Sequence, residues 1–376
     1  MLKGIDLTLM IGPVVPLPVS KDVLDALISV EVMARTEQAS GFQLKFILSK
    51  NSPLQTIFLV AGGAQIPLVR VLILVTINGS TEVLMDGVMT NHEVTGGSAK
   101  ESPVLTISGE DLSRVMDYID FTGLFQYPAM PPEARVLLIL AKYAFLGVVP
   151  LVIPSVLIDV PIPVDRIPIH QGTDYCYLNK LADEAGYVFY VEPGPTPGAS
   201  VGYWGPPVKV GLSQPALNID MDAQTNVETL SFSFNTQKAT LPILVIQESV
   251  TKLPIPIPIP EITPINPPLG LIPPLSLKVD KLDKTGKLTP VEAALRGLSI
   301  AAKRADAVSA TGSLDVLRYG QVLKTRRLVG VRGAGLAFDG LYFVDSVTHH
   351  LKRGAYTQDF TLTRNGLIST VSRVPS

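Results

Sequence analysis

The sequence has few of the residue types on which covalent or metal-based chemistry depends. It contains one cysteine, Cys176, and four histidines in 376 residues. A single cysteine excludes an internal disulfide and any zinc site built from thiolate pairs, and it fits a chain that folds in a reducing cytoplasm. His92 and His170 stand alone, whereas His349 and His350 are adjacent. Neighbouring strand residues point to opposite faces, so this last pair is not expected to hold one metal ion.

Charge is also scarce. Only 17% of the residues are charged, and 31 Lys and Arg against 33 Asp and Glu leave a formal net charge of -2. Without a surplus of positive charge we expect no sequence-specific binding of nucleic acid. Hydrophobic residues make up 47% of the chain and the mean hydropathy is +0.34, which is more apolar than a freely solvated monomer usually needs.

The sequence lacks an uninterrupted membrane-spanning run. Its longest apolar stretch, residues 136–158, carries Lys142 near the middle and Pro150 and Pro154 in the second half, and these residues break a spanning helix. Prolines also interrupt the apolar N-terminus, where no cleavage site follows. We therefore expect no signal peptide and no stable membrane insertion, and we assign the apolar excess to large contacts between subunits.

Residues 1–120 have the pattern of a small β domain. Apolar and polar positions alternate over residues 26–35 and 41–49, and residues 69–77 form a more continuously apolar run that ends at Asn78-Gly79, a strong hairpin signal. Further strands are predicted over residues 82–94 and 104–108. Five strands joined by short turns favour a closed, tube-like β-barrel or a sandwich.

Residues 121–226 are predicted to form a helical α+β insertion and a connector. Asp111 precedes it as the cap of a short helix, and residues 133–146 predict a buried or interface helix that is apolar on nearly every face. Recurrent prolines up to Pro168 then indicate an extended connector. Thr173 begins an amphipathic helix that Gly186 ends, and residues 187–192 follow as a strand.

The remainder of the chain is predicted to contain a second β domain. Residues 227–252 hold strands that return to the barrel region, and residues 253–276 form a Pro/Ile-rich extended segment. Nine prolines within residues 253–275 predict polyproline II packed along another chain. Residues 277–376 are predicted to begin with a helix capped by Thr289 and to end as a second tube-like barrel, with strands over residues 314–319, 321–323, 341–349 and 356–364.

A short internal similarity supports two related barrels. Residues 86–97 and 344–355 share three residue types at one constant offset, namely Thr90 and Thr348, His92 and His350, and Gly96 and Gly354. The predicted fold class is therefore mainly β with α+β insertions: two tube-like β-barrels per chain, a small helix-strand domain and a Pro-rich extended segment.

No residue pattern predicts catalysis, a cofactor site or a metal site. Cys176 lies in a helix between two tyrosines, where a packed thiol is expected rather than a nucleophile for His170. The glycine-rich residues 330–335 lack the Lys-Ser/Thr ending of a phosphate loop and predict tight turns. The acidic pairs Glu110-Asp111 and Asp183-Glu184 fit capping or solvated roles. We therefore predict a protein that is not an enzyme.

The order of these elements resembles a known family. The relevant segments are ISVEV, FQLKFIL, VRVLILV, VLMDGVMTNHEV and VLTISGEDLSRVMD in the first β domain, GTDYCYLNKLADEAGYVFYVEPG in the insertion, and LYFVDSVTHHLKRGAYTQDFTLTRNG near the end. They resemble the baseplate hub proteins of contractile phage tails, the late control protein D family, and the hub portion of type VI secretion spike proteins.

The resemblance implies a trimer in which two barrels per chain present six barrels to a hexameric tail tube and a three-fold face to a spike. The implied partners are two further copies of the chain, the tail tube or a tube-initiator protein, a separate central spike protein and other baseplate proteins. The spike is expected to be separate because the sequence ends at Ser376 without an oligosaccharide-binding fold or needle. The implied location is the virion tail baseplate or an assembled injection particle, after synthesis in the bacterial cytoplasm.

Three other interpretations remain open at this point. A tail-tube or baseplate-wedge component would assemble with six-fold symmetry. A tail-associated lysin would need an isolated catalytic Glu, a zinc set or a Cys/His pair, none of which the sequence offers. A membrane-associated pore component is supported only by the hydropathy.

Overall fold

The computed structural model describes residues 4–36, 38–48, 68–96, 102–154, 167–236, 267–274 and 306–371, together with the backbone of residues 240–247, 254–258 and 278–281 and with Gly297. Four α-helices lie in these ranges, α1 (Lys21–Ala26), α2 (Pro132–Ala141), α3 (Asp174–Ala185) and α4 (Val316–Tyr319). Short 3-10 helices cover Leu112–Asp117, Ala144–Leu146 and Asp222–Gln224.

Strands dominate, as predicted. They are β1 (Ile5–Gly12), β2 (Leu17–Pro18), β3 (Leu27–Arg35), β4 (Gly41–Ile47), β5 (Arg70–Ile77), β6 (Ser80–Thr95), β7 (Val104–Asp111), β8 (Val148–Val152), β9 (Val188–Pro193), β10 (Ser200–Gly205), β11 (Gln214–Asn218), β12 (Thr229–Phe234), β13 (Thr240–Gln247), β14 (Pro254–Pro258), β15 (Gly270–Ile272), β16 (Lys278–Lys281), β17 (Val308–Asp315), β18 (Leu328–Arg332), β19 (Gly340–Lys352), β20 (Ala355–Arg364) and β21 (Leu367–Ser369).

Thirteen strands form one large sheet. Its path runs β12-β17-β20-β19-β3-β4-β7-β6-β5-β1-β2, and β18 and β11 extend from β19 off this path. Three small sheets, β8-β10-β9, β14-β13-β16 and β15-β21, complete the strand pairings of the described ranges. No pairing there joins β12 to β2, so the predicted closed barrels are not found and the sheet is open.

The large sheet contains the same strand order twice. One unit runs β3-β4-β7-β6-β5-β1 and the other runs β12-β17-β20-β19-β18-β11. The chain also forms the strands of both units in the same order: β1, β3, β4, β5, β6 and β7 of the first unit correspond in turn to β11, β12, β17, β18, β19 and β20 of the second. The units differ at one position, since β1 is antiparallel to β5 whereas β11 is parallel to β18. Antiparallel pairing of β3 with β19 joins the two units.

A β-bulge divides the corresponding long strand of each unit into two halves. The register of β6 against β7 shifts between Met89 and Asn91, and that of β19 against β20 shifts between Val344 and Ser346. Before the bulge, β19 pairs with β18, and after it with β3. Before its bulge β6 pairs with β5, but after it that edge of β6 has no partner strand in the described part of the chain.

The residue matches on which the internal similarity was based do not occupy equivalent positions in the two units. His92 lies opposite Ile107, whose side chain belongs to the core, whereas His350 lies opposite Thr357 on the other face of the sheet. Side chains alternate along a strand, so an error of one residue exchanges the faces. The two histidines therefore occupy different positions, although the hairpins that carry them correspond.

The first β region follows its predicted pattern closely. All five predicted strands are present, and Asn78 (φ 49°) and Gly79 (φ 83°) form the tight turn between β5 and β6. A large core lies on one face of the sheet and includes Val32, Leu44 and Ile107, each completely or almost completely buried. Alternation predicted β3, β4 and β7 well because only one face of these strands is covered. β5 is buried on both faces, which fits the continuously apolar run from which it was predicted.

The insertion has its own core, built from α2, α3 and the sheet β8-β10-β9. Thr173 caps α3 by accepting a hydrogen bond from the Cys176 backbone, and Gly186 (φ 71°) ends it, as predicted. The prediction for residues 133–146 is wrong at its end, because α2 ends at Ala141. Of the two predicted roles, a fully buried helix is excluded because Leu137 and Leu138 are exposed. The exposed leucines leave an apolar surface, so the interface alternative stays a prediction.

Two predicted extended segments form paired strands. The connector includes β8, which contains Pro150 and pairs with β10, while residues 155–166 lie outside the described ranges. In the Pro/Ile segment, β14 pairs with β13 and β15 pairs with β21. Polyproline II is therefore wrong for the described strands of the Pro/Ile segment, whereas the connector is extended as predicted where β8 is described. The prolines of β14 alternate, so Ile255 and Ile257 keep N–H groups for one neighbour, as an edge strand requires.

The predictions for the last hundred residues were less accurate. The helix expected from Thr289 lies outside the described residues. Residues 314–319 are the end of β17 followed by α4, which begins where Asp315 accepts a hydrogen bond from the Arg318 N–H. Residues 321–323 are not a strand, because the Leu323 N–H bonds to the Gln358 side chain at 2.9 Å. The start of β17 and all of β18 were missed.

Candidate functional site

The adjacent histidines point to opposite faces of β19, as predicted. His349 is 4% exposed, and its Nδ1 lies 2.8 Å from the Tyr356 hydroxyl oxygen. His350 lies on the other face, with Nε2 3.1 Å from Asp359 Oδ2 and Nδ1 3.8 Å from Glu31 Oε2. Within the described ranges, no group of three His, Cys, Asp or Glu residues is arranged to hold a metal ion.

Cys176 and His170 do not form a nucleophile and base. Cys176 is exposed, so the expectation of a packed thiol is wrong, and its Sγ lies 3.9 Å from Asp117 Oδ1. His170 is fully buried, with Nδ1 2.9 Å from the Tyr127 hydroxyl oxygen and Nε2 3.5 Å from Asp174 Oδ1. The histidine therefore belongs to a different cluster.

That cluster is centred on the buried carboxylate of Asp174. Asp174 accepts hydrogen bonds from Lys142 Nζ at 2.7 Å and from the Tyr143 hydroxyl at 2.6 Å, and the Lys142 ammonium lies 4.5 Å from the centre of the Phe121 ring. Burial lowers the pKa of His170, which keeps it neutral, and burial together with the bond to Asp174 raises the pKa of Tyr143 far above its usual value. These contacts join the end of α2 to the start of α3.

The glycine-rich and acidic motifs have the structural roles predicted for them. Gly333 (φ 87°) follows β18 in a turn where a Cβ would lie 1.9 Å from the Ile219 carbonyl oxygen, so only glycine fits. Asp111 caps the 3-10 helix by accepting a hydrogen bond from the Ser113 N–H at 2.9 Å. Glu184 lies on the surface of α3, 3.9 Å from Lys180 Nζ.

A buried ion pair that the sequence analysis missed connects the first unit to the insertion. Arg70 Nε and Nη2 donate to the two carboxylate oxygens of Asp86 at 2.7 and 2.6 Å. Arg70 also donates to the Gly198 carbonyl at 2.9 Å, and the Ser200 hydroxyl donates to Asp86 at 2.8 Å. Both charged residues interrupt apolar strands, and that was the available sequence signal.

We expect Arg70→Met to lower the free energy of unfolding by about 3 kcal/mol or more, because it leaves the Asp86 carboxylate buried without its cation. Urea denaturation at pH 7 measures this loss. Lys180→Met is the matched control, since Lys180 lies in an exposed pair with Glu184, and its expected effect is below about 1 kcal/mol. Equal losses for both variants would contradict the role assigned to the buried pair.

Two open strand edges are the prominent candidates for a functional surface. The backbone N–H of Asn235, just after β12, donates to the Ala307 carbonyl at 2.9 Å. Hydrogen bonds alternate along an antiparallel pair, and Asn235 stands opposite Ala307 in the β12–β17 register. The N–H groups of Leu230, Phe232 and Phe234 therefore point away from β17. In the described part of the chain no strand meets that edge.

The second open edge is the half of β6 that follows its bulge. Residues 91–95 pair with β7 on one side only, and their side chains are exposed. Besides the outer edges of β2 and β11, the large sheet thus has two unpaired strand edges in the described part of the chain, one in each repeated unit. Unpaired edges template pairing with another chain. Separately, no helix of the described residues is long and apolar enough to cross a membrane.

Comparisons with known proteins identify the fold. A scan against models of protein families found no match, and a search of curated protein sequences found none. A tail protein from Neisseria meningitidis, 15% identical, aligns over 97% of this chain and 98% of its own with a TM-score of 0.63. The 43 kDa tail protein of prophage MuSo2 from Shewanella oneidensis, 14% identical, aligns over 96% and 98% with a TM-score of 0.62.

A third solved structure extends the likeness to a secretion system. The E. coli c3393 protein is described as a component of the type VI secretion system with structural similarity to the T4 bacteriophage tail proteins gp27 and gp5. It is 10% identical and aligns over 93% of this chain and 76% of its own with a TM-score of 0.53. At these identities the likeness is one of fold, and at that level the resemblance inferred from the sequence is confirmed: the chain has the fold of phage tail proteins and their type VI secretion counterparts.

Proposed function

We propose that the chain is a structural baseplate hub, a trimer that joins a hexameric tail tube to a trimeric central spike. The observation that supports this most strongly is the repeated strand order, because three chains with two corresponding units each supply six units. A ring with three-fold symmetry then presents a nearly six-fold surface to the tube. The role is architectural and involves no catalysis.

The two open edges supply the contact that closes the ring. Within one chain, the half of β19 after the bulge pairs with β3, the first strand of the other unit. The corresponding elements are the half of β6 after its bulge and β12, and among the described residues each has no partner strand on one edge. Pairing β12 of one copy with β6 of the next repeats the junction already present within the chain. A head-to-tail contact of this kind forms a closed ring when its rotation is 120°.

Such a ring encloses a channel. Eight strands lie between the open edges, from β12 through β17, β20, β19, β3, β4 and β7 to β6. Three copies bring 24 strands, which at a spacing of about 4.8 Å give a circumference of about 115 Å and a backbone diameter of about 37 Å, before any widening by strand tilt. A channel of that width passes a large cargo.

The proposed partners follow from the two faces of the ring. The tail tube or a tube initiator contacts the nearly six-fold side, a separate spike protein contacts the other, and further baseplate proteins surround the insertion. The proposed location is the tail baseplate of a virion or an assembled injection particle. The predicted first domain, residues 1–120, holds all strands of the first unit. The second unit combines strands of residues 277–376 with β12 from residues 227–252 and β11 from the predicted insertion, residues 121–226.

Light scattering after size-exclusion chromatography tests the assembly. The hub predicts a particle of about 121 kDa, three times the 40.3 kDa chain. A six-chain particle would contradict it and favour the second candidate, a tail-tube or wedge component, because six chains would carry twelve units. A chain that remains monomeric even when mixed with tube and spike proteins would also contradict the hub.

A further inference from the structure

The strand pairings align the two units residue by residue. The register shift of β6 against β7 follows Met89, and that of β19 against β20 follows Val344. At the first shift the Met89 N–H donates to the Val69 carbonyl at 2.9 Å. At the second the Val344 N–H donates to the Arg327 carbonyl, also at 2.9 Å. Met89 and Val344 are therefore equivalent, and the residues after the two bulges correspond in order.

Exposed residues of β6 correspond to buried residues of β19. His92 corresponds to Val347, which is fully buried. Val94 corresponds to His349, which is almost fully buried. The two β6 side chains are exposed. The two half-strands differ in their neighbours, because β3 lies alongside this half of β19, whereas no strand of the described ranges lies alongside this half of β6.

The same alignment extends across the sheet to β3 and β12. Four directly opposite residues form one row in each unit, namely Met89, Gly109, Phe42 and Val32 in the first and Val344, Leu362, Ala310 and Phe232 in the second. Phe232 is therefore the equivalent of Val32, and Phe234 is the equivalent of Ala34. Both phenylalanines are half-buried on the open strand β12 and pack against the core.

We propose, resting on the hub assembly above, that the contact between copies repeats the β3–β19 junction in register and not only in topology. Within the chain, that junction places each residue of β3 opposite a defined residue of β19. Replacing each residue by its equivalent places Val94 of one copy opposite Phe232 of the next copy, and His92 opposite Phe234. A shift by one residue would turn these side chains away from the core. The register therefore buries on the neighbouring copy the side chains that a single copy leaves exposed.

The two junctions differ in chemistry. Inside the chain, His349 lies opposite Gln358, whose amide nitrogen is 3.3 Å from His349 Nδ1. The equivalent pair in the first unit is Val94 opposite Leu105. Beside Phe232 of the next copy these two residues form an apolar contact. Burial of apolar surface, without side-chain hydrogen bonds, therefore stabilises the contact between copies at this point.

Val94→Asp tests the apolar contact, with Val15→Asp as the matched control. Both valines are more than half exposed in the single chain, so both variants are expected to fold alike. Assembly buries only the charge at position 94. The dissociation constant of the trimer, measured by analytical ultracentrifugation, is expected to rise at least about hundredfold for Val94→Asp and to stay within about threefold for Val15→Asp. Equal shifts would contradict the contact.

A disulfide between copies tests the register itself. Glu93 and Ser233 are exposed, and the proposed register places them opposite each other at a position without backbone hydrogen bonds between the strands. Cα atoms at such positions are about 4.5 Å apart, which a disulfide can span. Glu93→Cys and Ser233→Cys are combined in a Cys176→Ser chain and oxidised with diamide. On a non-reducing denaturing gel, most of the chain is expected to run as a covalent trimer.

Glu93→Cys combined with Thr229→Cys is the control pair. Thr229 is exposed as well, but it lies four residues along β12 from Ser233, about 13 Å away, and less than about a tenth of this chain should be cross-linked. Cross-linking through Thr229 that equals that through Ser233, or a trimer that neither pair cross-links, overturns the register while the trimer mass still supports the hub. An unchanged chain that is not a trimer contradicts the hub and the register together.

Discussion

Replacing Leu230 by proline is expected to abolish the trimer while leaving a folded monomer. The N–H of Leu230 points to the open edge of β12, so proline removes a donor from the proposed contact between copies but none from the ladder with β17. The proline ring also fills the space where an incoming strand would approach. Prolines are tolerated on edge strands when the missing N–H faces solvent.

The mass from light scattering reports whether the trimer forms, and the melting temperature reports whether the variant chain is still folded. Light scattering should give about 121 kDa for the unchanged chain and 40.3 kDa for Leu230→Pro. Leu230→Val is the matched control, because it shortens the side chain but retains the N–H, and it should remain trimeric. A Leu230→Pro chain that still forms trimers would contradict the assignment of β12 to the interface.

Acid is expected to destabilise the fold by up to about 5 kcal/mol through one residue, His349. Burial, reinforced by the charge of His350, lowers the pKa of His349 to about 3, while the unfolded chain has a histidine pKa of about 6.5. The neutral form is thus favoured in the folded state. The contribution of the neutral His349 to stability is complete above pH 6.5. Below that pH the free energy of unfolding falls by about 1.4 kcal/mol per pH unit until the pH reaches about 3.

Urea denaturation at pH 7 and pH 4.5 measures this effect, and His349→Gln separates it from other groups. Between these pH values the unchanged chain should lose about 2.7 kcal/mol more than the variant, whose glutamine still accepts from the Tyr356 hydroxyl. Burial lowers the pKa of His170 and raises that of Asp111, but both groups are present in both chains and cancel. Identical pH profiles would show that His349 is not responsible.

The sequence predicted those elements whose side chains alternate between a covered and a solvated face. β3, β4 and β7 are of this kind, and so is α3 with its capping threonine and terminal glycine. β17 was located only at its end because in its sequence, VSATGSLD, the core-facing positions between Val308 and Leu314 hold only Ala310 and Gly312, so the apolar alternation is weak.

The two open strand edges could not be predicted from the sequence. An open edge exists only relative to the pairing of all other strands, and the β3–β19 junction joins residues more than 300 positions apart. The internal similarity correctly suggested two related β regions, but its residue matches fall on opposite faces of the sheet. By contrast, Arg70 and Asp86, opposite charges inside two consecutive apolar strands, were a usable signal for a buried ion pair.

An electron cryomicroscopy map of the purified assembly tests directly whether three copies close a ring through their open strand edges. A ring with three-fold symmetry is expected, in which β12 of each copy pairs antiparallel with the second half of β6 of the next copy and closes a sheet of 24 strands around a channel. A ring in which both edges face solvent, or in which another element of the neighbouring chain covers them, would contradict it.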